Sequence, residues 1–595
     1  MGGCWGESVL GRTPTSPQTE QVKNTAIAKV FSDIADLLEL KGENAFKVRA
    51  YQKAVRAIEH YPKEIQAMLE EGEDLKGIPG VGEAIAKKAT ELVTTGGLAY
   101  YENLKGEFPD GMTGLLAIPG IGPKTATRLC GELGIDSVDA LERAISDGRV
   151  AGVFRLGDKR ASNLLEQIQA FRRKDQRVPI GEVLPIVEVI LACLGTFPGL
   201  RNLSYAGSLR RFRETVRDVD LMGSADDPEE VVKAFVALPH VGQVLAQGAT
   251  KASAIVSGGL QVDLRMVNHD SFGSLLQYFT GSKQHNISLR ERGHRQGLKL
   301  SEYGITNIGT DELERFTEEK EFYWRLGLQY IPPELREAQG EIEQAERGIL
   351  PKLVEVSDIR GDLHIHTNWS DGHNSIEEMA VGAKALGYEY IAITDHSAGR
   401  GIAHGLDSER LRRQVAEIGT LNERLEGIRV LSGVEVDIRA DGSLDLPREM
   451  LCELDVVVAA VHSSMNQTEE KMTRRVLGVV EDPYVDIIAH PTCRLLGERE
   501  PVAMDLEVIA RAAARNGRIL ELNAFPSRLD LNDVHASRAR DLGVKLVIGT
   551  DAHDIAHLPF MEFGVGVARR AWCEARHIVN TLSLEELLAV LRRGR

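Results

Sequence analysis

The stretch GDLHIHTNWSDG (residues 361–372) places two histidines one residue apart and an aspartate five residues after the second. In an extended strand the side chains alternate between faces, so His364 and His366 point the same way. Imidazoles and a carboxylate that converge at one strand end are typical metal ligands. Taken alone, the pattern is equally consistent with two surface histidines on a loop, so its interpretation depends on the rest of the chain.

This apolar run is the first of seven that alternate with helical stretches. The runs end at DLHIH, YIAITDH, VLSGVEV, VVVAAVH, VDIIAH, ILELNA and LVIGTDAH. Strand–helix alternation on this scale predicts parallel strands, and a closed barrel of about seven βα units is the natural arrangement. The active sites of such barrels lie at the C-terminal ends of the strands.

Six of the seven strand ends carry side chains that can bind a metal. These nine candidate ligands are His364, His366, Asp371, His396, Glu435, His462, His490, Asp551 and His553. Only ILELNA, with Glu521 and Asn523, offers no obvious ligand. The number suits up to three ions, and the mixture of imidazole and carboxylate favours Mn²⁺, Zn²⁺ or iron over Mg²⁺ alone. We expect Glu435 and Asp551 to bridge two ions.

A second set of carboxylates lies upstream, in AGSLRRFRETVRDVDLM (residues 206–222) and VDLRMV. Asp218 and Asp220 alternate along one predicted strand and share a face, and Asp263 comes from another strand. Three carboxylates on adjacent strands suit two Mg²⁺ ions, which can hold the attacking and the leaving oxygen of a phosphoryl transfer. The neighbouring Gly-Ser turn and two arginines offer cations for a triphosphate. A lone DxD would instead be typical of a solvated loop.

The segments GSLRR…RDVD, VDLR and QYFTGSKQHN (residues 277–286) together resemble the nucleotidyltransferase core of the family-X DNA polymerases, the polymerase-beta-like repair enzymes. The resemblance implies that Asp218 and Asp220 hold two Mg²⁺ or Mn²⁺ ions and that Asp263 helps to activate the primer 3′-hydroxyl. It implies nucleotide-binding roles for Ser208, Arg211, Tyr278, Phe279, Gly281, Asn286 and Arg290. The family usually has glycine before the first metal aspartate, where this chain has Arg217, so no role is carried over to that position.

An internal repeat lies nearer the N-terminus. LKGIPGVGEAIAKK begins at Leu75 and LLAIPGIGPKTATR at Leu115, and each places Pro-Gly-apolar-Gly before a helical pattern. The exposed N–H groups of such a turn can hold a phosphate oxygen. The repeat predicts two helix-hairpin-helix elements that grip DNA backbones without reading sequence, through Gly80, Gly82, Gly120 and Gly122. The alternative is a pair of ordinary helices that begin at glycines.

The family-X resemblance extends to this region as an N-terminal lyase-type domain. Lys88 stands where such enzymes keep the lysine that forms a Schiff base with a 5′-deoxyribose phosphate. Lys47 and Tyr51 match the pocket for the 5′-phosphate. Ala84 stands where a further phosphate-binding lysine would be expected, so 5′-deoxyribose phosphate lyase activity stays open.

The spacing HxH…D…TDH…E…H…HP…DAH resembles the PHP domain, the polymerase-and-histidinol-phosphatase fold, in the position it has in bacterial and archaeal family-X polymerases. That resemblance implies a manganese-dependent 3′–5′ exonuclease, with abasic-site (AP endonuclease) cleavage in some members.

The chain is therefore predicted to be multidomain, with an all-α helix-hairpin-helix region, an α/β nucleotidyltransferase palm with a thumb, and a (β/α)7-like PHP barrel. The predicted boundaries are a disordered leader (1–20), a lyase-type domain (21–105), a fingers-like second hairpin domain (106–175), the palm (176–268), the thumb (269–330), a linker (331–357) and the barrel (358–595).

Composition constrains the partners. The net charge of −17 disfavours a nucleic-acid partner at first sight, but residues 1–330 carry only −4 of it and residues 331–595 carry −13. No apolar run approaches the roughly 18 residues of a membrane span, and six cysteines without a CxxC pair indicate reduced thiols. We expect a cytoplasmic monomer that acts on gapped or primer-template DNA with a 5′-phosphate and on dNTPs, without a membrane. The alternatives are a small-molecule PHP phosphatase and a DNA-end-binding scaffold with silent sites.

Overall fold

The computed structural model describes residues 24–107, 115, 121, 123–149, 168, 177–399 and 403–591, except residues 42, 60, 62, 136 and 148. The chain forms two compact units, residues 1–172 and 173–595. None of the described helices is long and apolar enough to cross a membrane. The cysteines within the described ranges are all free thiols. The predicted leader, Gly120 and Gly122 lie outside the described residues.

The first unit is helical, as the sequence predicts. Its helices are α1 (Asn24–Leu40), α2 (Ala45–Glu59), α3 (Ile65–Glu70), α4 (Glu83–Thr95), α5 (Ala99–Gly106), α6 (Pro123–Leu133) and α7 (Val138–Ser146). Apolar side chains three and four residues apart form one core that joins α1 to α5, with Phe31 and Ile58 fully buried. The hairpin turn before α4 needs glycine at Gly80, whose φ of +101° lies in a region that L side chains rarely adopt.

The palm segment consists of a mixed five-stranded sheet backed by helices. Its elements are β1 (Val178–Pro179), α8 (Ile180–Gly195), β2 (Leu200–Tyr205), α9 (Gly207–Arg210), β3 (Thr215–Val216), β4 (Asp218–Ala225), α10 (Pro228–Val236), β5 (Val241–Gln247), β6 (Lys251–Val256) and β7 (Gln261–Val267). The strand order is β2-β4-β7-β6-β5, and β1 pairs separately with β3. Strands β4 and β7 are parallel and place Asp220 directly beside Asp263. The register therefore brings two of the three predicted palm carboxylates together.

The thumb segment follows with short helices and a three-stranded sheet. Its elements are α11 (Phe272–Thr280), α12 (Lys283–Arg295), β8 (Leu298–Ser301), β9 (Gly304–Asn307), β10 (Leu313–Glu314), α13 (Glu319–Arg325) and α14 (Glu341–Arg347). Residues 331–357, predicted as a linker, send Leu335, Ala345 and Leu353 into the same core as Leu289 and Phe322. This segment is therefore packed against the thumb.

The C-terminal segment is a parallel seven-stranded barrel, which confirms the predicted architecture. Its strands are β11 (Gly361–Ile365), β12 (Tyr390–Ile393), β13 (Arg429–Asp437), β14 (Val456–Ala460), β15 (Ile487–Ile488), β16 (Ile519–Asn523) and β17 (Lys545–Gly549), in sequence order around the sheet. The surrounding helices are α15 (Ile376–Ala385), α16 (Ser408–Asn422), α17 (Arg448–Leu451), α18 (Glu469–Val480), α19 (Leu506–Asn516), α20 (Asp533–Asp541), α21 (Met561–Arg570) and α22 (Leu584–Leu591). The strand side chains are almost all buried because helices cover the outer face.

The barrel is closed between its first and last strands by side chains. The described part of β11 has no ladder with β17, and a single bridge joins Ile365 to Ala552. Fully buried Asn580 fills the gap, because its Nδ2 donates to the Ile548 oxygen (2.6 Å) and to the Gly361 oxygen (3.1 Å). Its Oδ1 accepts from the Ile548 nitrogen at 3.0 Å. One amide side chain thus satisfies backbone groups that a strand would otherwise pair.

Candidate active sites

The nine histidine and carboxylate side chains predicted as barrel ligands converge at the C-terminal ends of the strands. Three groups have ligand atoms that all lie within 4.8 Å of one another: His366, Asp371, His396 and His553; His364, His366 and Asp551; and His396, Glu435 and His462. His490 joins them through its Nε2, which lies 3.0 Å from Glu435 Oε1. His366 and His396 therefore each belong to two groups. The bridging roles expected for Glu435 and Asp551 stay predictions.

Outer side chains fix the orientation of the rings. Glu521 Oε1 lies 2.6 Å from His364 Nδ1, and Glu521 Oε2 accepts from the His490 backbone nitrogen at 2.6 Å. His462 Nδ1 lies 3.2 Å from Asp437 Oδ1. These contacts leave the Nε2 atoms of His364 and His462 facing the centre. The strand end that offered no obvious ligand therefore supplies the carboxylate that holds two of the ligand residues in place.

The arrangement fits divalent cations. Several buried ring nitrogens of the candidate ligands have no hydrogen-bond partner among the described residues, namely His364 Nε2, both ring nitrogens of His366, and His490 Nδ1. Such orphaned atoms are costly unless an ion or water meets them. Burial and the neighbouring His553 and His396 lower the pKa of His366 to about 3, which leaves its ring in the neutral form that binds metals.

The two predicted bridging carboxylates are ionised despite being buried. Burial alone would raise the pKa of Glu435, but His462, His396 and His364 hold that pKa well below its ordinary value. Asp551 behaves in the same way beside His364 and His366. Burial alone would lower the pKa of His364, but Glu521, Asp551 and Glu435 raise it well above its ordinary value, so an ion that binds this ring would displace its proton. The barrel thus combines imidazole and carboxylate donors, the set expected for transition-metal ions.

The palm carboxylates form a second acidic site. Burial, with the neighbouring Asp218 and Asp263, raises the pKa of Asp220 to about 7. Repulsion between carboxylates is what a bound divalent cation relieves, so these residues fit a hard metal ion. Unlike the three barrel groups among the described residues, the three palm carboxylates do not all place a ligand atom within 4.8 Å of one another. Arg217 holds Asp218 Oδ2 at 3.0 Å, and Gln261 Nε2 lies 3.1 Å from Asp263 Oδ2.

The loop that joins β2 to β3 carries Ser208 and Arg211. Gly207 lies against the Asp220 carboxylate, where an added Cβ would be 3.1 Å from Oδ2. Arg211 is nearly buried. Its Nε donates to Glu337 Oε1 at 3.1 Å, and its Nη1 donates to the Thr280 oxygen at 2.5 Å. The guanidinium predicted to contact a triphosphate is therefore held by two acceptors, and its role stays a prediction.

The predicted nucleotide-binding part of the thumb adjoins this loop. Gly281 ends α11 with a φ of +68°, and a Cβ there would lie 3.2 Å from Arg211 Nη1. The ring of Phe279 contacts Tyr278 edge to face and lies 4.7 Å from the Arg265 guanidinium. Asn286 is already engaged, since its Nδ2 donates to the Tyr278 oxygen (2.7 Å) and its Oδ1 accepts from Gln277 (2.9 Å).

Arg290, the last predicted nucleotide-binding residue of the thumb, lies one turn further along α12. Its Nε donates to the backbone oxygen of Asn286 at 3.1 Å. This bond holds the base of the side chain against the helix. The role proposed for Arg290 stays a prediction.

A separate pocket lies in the first unit. It has a volume of about 530 Å³ and is lined by Glu83, Ala84, Lys87, Lys88, Glu91 and Tyr100. The ammonium groups of Lys88 and Lys47 lie 4.7 Å and 5.7 Å from the Tyr100 ring centroid. Tyr51 stacks on Tyr100 with the rings nearly parallel. The structure therefore brings the three predicted 5′-end residues together around one tyrosine, with Gly82 at the start of α4.

Sequence reasoning missed the roles of Glu521 and Tyr100. Glu521 was noted only as a strand-end residue without an obvious ligand role, and nothing in its own segment indicates that it contacts His364 and the His490 backbone. Tyr100 lies in an ordinary helical stretch, and only the structure shows its contacts with Lys47, Tyr51 and Lys88.

Comparison with known families matches four parts of the chain. Residues 22–98 match a helix-hairpin-helix domain, and residues 112–170 match a tandem helix-hairpin-helix domain. Residues 275–337 match the DNA polymerase beta thumb, and residues 362–524 match the PHP domain. The order of these matches is the predicted order of domains, and they indicate DNA binding and the use of divalent metal ions.

Individual relatives agree with this assignment. The chain is 40% identical over 570 residues to the DNA polymerase/3′-5′ exonuclease PolX of Bacillus subtilis, which covers 96% of this chain and 99% of that protein. A probable phosphatase of Acetivibrio thermocellus is 37% identical over 203 residues, 32% of this chain and 78% of that protein. A probable phosphatase of a Thermoanaerobacter species is 32% identical over 234 residues. The chain belongs to the family-X DNA polymerases that carry helix-hairpin-helix, polymerase-beta thumb and PHP domains.

Proposed function

We propose that the chain is a DNA polymerase that fills short gaps in base excision repair, with a manganese-dependent 3′–5′ exonuclease in its barrel. The observation that carries the proposal is two separate acidic centres in one chain. One is the nine-ligand centre at the barrel mouth, and the other is the pairing of Asp220 with Asp263 beside the loop of Ser208 and Arg211. The name of the Bacillus relative supports both activities.

In the palm, Asp218, Asp220 and Asp263 would hold two Mg²⁺ or Mn²⁺ ions. Those ions would neutralise charge on the phosphates and on the attacking and leaving oxygens of the phosphoryl transfer. The side chains of the palm would bind the substrates and move the proton. Asp263 lies beside Asp220, where it can accept the proton of the primer 3′-hydroxyl, and Gln261 restrains its carboxylate. Ser208 and Arg211 would bind the triphosphate of the incoming dNTP.

Arg217 gives this palm a distinctive feature. Its guanidinium holds Asp218 at 3.0 Å, and both side chains are partly exposed. Since a metal ion would compete for the same carboxylate, we expect Arg217 to turn outward when the site is loaded. The freed guanidinium would then lie at the rim of the site, within reach of a phosphate.

In the barrel, the nine ligands would hold up to three ions, with Mn²⁺ the best candidate beside Zn²⁺ and iron. These ions would supply Lewis acidity to a phosphoester and activate water. Glu521 and Asp437 orient the ligand rings. Arg528, with its Nε 3.5 Å from Asp551 Oδ2, is a cation beside these ligands and would contact a scissile phosphate. The proposal extends to cleavage of abasic sites, which incubation of a duplex containing one abasic site with Mn²⁺ would test.

The pocket in the first unit would bind the 5′-phosphate of a gap. Lys47 and Lys88 converge on Tyr100. Lys87 is paired with Glu83 at 3.0 Å and Lys47 with Glu43 at 3.6 Å. Lys88 is therefore the lysine on which a Schiff base would form. Borohydride trapping of a 5′-deoxyribose phosphate substrate, wild type beside Lys88→Ala, tests this lyase activity directly. Gly80 and Gly82 would present backbone N–H groups to the DNA phosphates.

One experiment tests the two-site proposal. A 5′-labelled primer in a one-nucleotide gap with a 5′-phosphate is incubated with Mn²⁺, with and without dNTPs. We expect Asp263→Ala to abolish extension and to leave primer shortening intact, and His366→Ala to do the reverse. If either change removed both activities from a folded protein, the two-site proposal would be wrong. If the wild type shortened no primer, the substrate of the barrel would have to be sought among abasic sites and blocked 3′ ends.

A further inference from the structure

The loop predicted to bind the triphosphate rests on a helix of the barrel. Phe212 follows Arg211 with a φ of +56°, a conformation that non-glycine residues rarely adopt. Its ring lies on Gly566 of α21 so closely that a Cβ at Gly566 would be 2.0 Å from ring carbon Cδ1. The ring of Phe563, one turn earlier on the helix, has its centroid 6.1 Å from that of Phe212. Close packing of this kind fixes the height of the loop above the helix.

Arg570, at the end of the same helix, bonds directly to this loop. Its Nη1 donates to the backbone oxygen of Arg211 at 2.8 Å and to Glu337 Oε1 at 3.0 Å. Its Nε and Nη2 donate to Asp533 Oδ2 at 2.9 Å and 2.6 Å. Arg570 therefore ties the loop of the palm to a carboxylate on α20 of the barrel.

Glu337 connects the two arginines. The same oxygen that accepts from Arg570 also accepts from Arg211 Nε at 3.1 Å. All three side chains are at most 15% exposed, so water cannot readily replace a lost partner. The backbone of Arg211 is thus held by Arg570, and its guanidinium is held by the carboxylate that Arg570 itself positions.

The contacts of Arg570 differ from those of Arg538. Arg538, on α20, pairs with Glu507 of the neighbouring helix α19 at 2.7 Å, a contact internal to the barrel. Arg570 instead donates a hydrogen bond from Nη1 to a backbone carbonyl 359 residues away in the chain. A buried cation that serves only the barrel would not need that bond.

We propose that Arg570 is a positioning residue for nucleotide incorporation, supplied to the polymerase site by the barrel. It sets the place of Arg211 relative to Ser208 and the palm carboxylates, and so tunes the affinity for the triphosphate of a dNTP. The inference rests on the proposed function, in which this loop binds the triphosphate. It adds that the barrel is a structural part of the polymerase site as well as a nuclease.

The test uses the full chain and single-turnover filling of a one-nucleotide gap over a range of dNTP concentrations. Arg570→Lys keeps the charge but cannot bond to Asp533, Glu337 and the Arg211 oxygen together. We expect the apparent Kd for the dNTP to rise about tenfold, equivalent to about 1.4 kcal/mol, with the maximal rate changed less than about threefold. Primer shortening by the barrel should stay unchanged. Arg538→Lys is the matched control and should alter neither activity.

A double-mutant cycle separates positioning from general destabilisation. In an Arg211→Ala background the Arg570→Lys change should have almost no further effect on dNTP affinity, because the guanidinium that it positions is gone. A purely structural role would give the same loss in both backgrounds. Additive losses would therefore overturn the proposal, as would an unchanged dNTP affinity in Arg570→Lys.

Two further measurements keep the outcome decisive. If Arg570→Lys does not fold, as judged by melting and by loss of nuclease activity, Asp533→Asn takes its place. That change weakens the anchor on the barrel side, and it should raise the apparent Kd for the dNTP in the same direction. An unchanged Kd in folded Asp533→Asn would refute the positioning role. If the wild type incorporates no nucleotide, the proposed function fails, which is distinct from failure of the role of Arg570.

Discussion

Replacement of Glu521 by glutamine should weaken metal binding in the barrel although Glu521 is not itself a predicted ligand. The carboxylate has two acceptor oxygens in use, one facing His364 Nδ1 and one accepting from the His490 backbone nitrogen, both at 2.6 Å. Glutamine offers one acceptor and one donor. The backbone N–H cannot change, so the amide oxygen must face it and the amide NH₂ must face His364.

The cost of this change falls on the metal-bound state. Without a metal, the His364 ring can carry its proton on Nε2 and accept from the amide. With an ion on Nε2, the ring must carry its proton on Nδ1, which then faces the amide NH₂ without an acceptor. An unpaired buried donor costs about 1–3 kcal/mol, which corresponds to roughly 5–150-fold in metal affinity.

This effect is measured by titrating the metal-free protein with Mn²⁺, with calorimetry and primer shortening as the two readouts. We expect Glu521→Gln to need about tenfold or more Mn²⁺ for half-maximal nuclease activity, while gap filling stays at the wild-type level. Glu507→Gln, on helix α19 and paired with Arg511 and Arg538, is the matched control. A Glu521→Gln protein with wild-type Mn²⁺ affinity would refute the orienting role of this carboxylate.

Three further changes test the fold and the DNA pocket. Asn580→Ala removes three buried hydrogen bonds to the first and last barrel strands, and we expect it to lower the free energy of unfolding by about 3–6 kcal/mol in urea titrations. Burial alone would raise the pKa of Glu319, but Arg336 and Arg210 lower it from 4.5 to about 2. Because the folded pKa of Glu319 is depressed, its ion pairs should stabilise the fold by roughly 3 kcal/mol above pH 4.5, and this stabilisation should be lost as the pH falls towards 2. Glu319→Gln should therefore flatten the dependence of unfolding free energy on pH between 4.5 and 2. Lys47→Ala should weaken binding to gaps with a 5′-phosphate about tenfold and leave binding to 5′-hydroxyl gaps unchanged in a competition assay.

The convergence of the nine candidate ligands in the barrel could be predicted from the sequence because each of them has a local signal. Strand side chains alternate, apolar runs mark the strands, and polar residues that end such runs must meet at one rim. The structure brings all nine together without exception. The palm pair Asp220 and Asp263 was predictable for the same reason, since parallel strands in register place equivalent positions side by side.

The supports of these sites had no local signal. Glu521 reaches a ring 157 residues away, and Arg570 reaches a carbonyl 359 residues away. Which of many helical arginines or strand-end carboxylates makes such a contact depends on packing between segments, and no periodicity within a segment encodes it. For the same reason, the sequence could not show that residues 331–357, predicted as a linker, pack against the thumb. The proline and charge content of this segment is typical of a connector, while the few apolar residues that bury against the thumb are spaced irregularly.

The same packing argues that the two sites are chemically separate but mechanically joined. Leu529 and Phe563 of the barrel lie in the hydrophobic core of the palm, and Arg494 of the barrel pairs with Glu214 at 2.8 Å. The loop that inserts Leu529 into the palm core carries Arg528 to Asp551, a predicted metal ligand. A change to one candidate ligand removes one donor and leaves these contacts intact, so it should silence one site alone. A change in the shared core around Leu529 and Phe563 should instead disturb both sites, because Phe563 packs on Phe212 of the nucleotide loop and Leu529 follows Arg528 in the chain. Arg570 contacts the nucleotide loop and helix α20, so its change should affect nucleotide binding alone. Dependence of both activities on the shared core, with independence of their ligands, is the behaviour that this geometry requires.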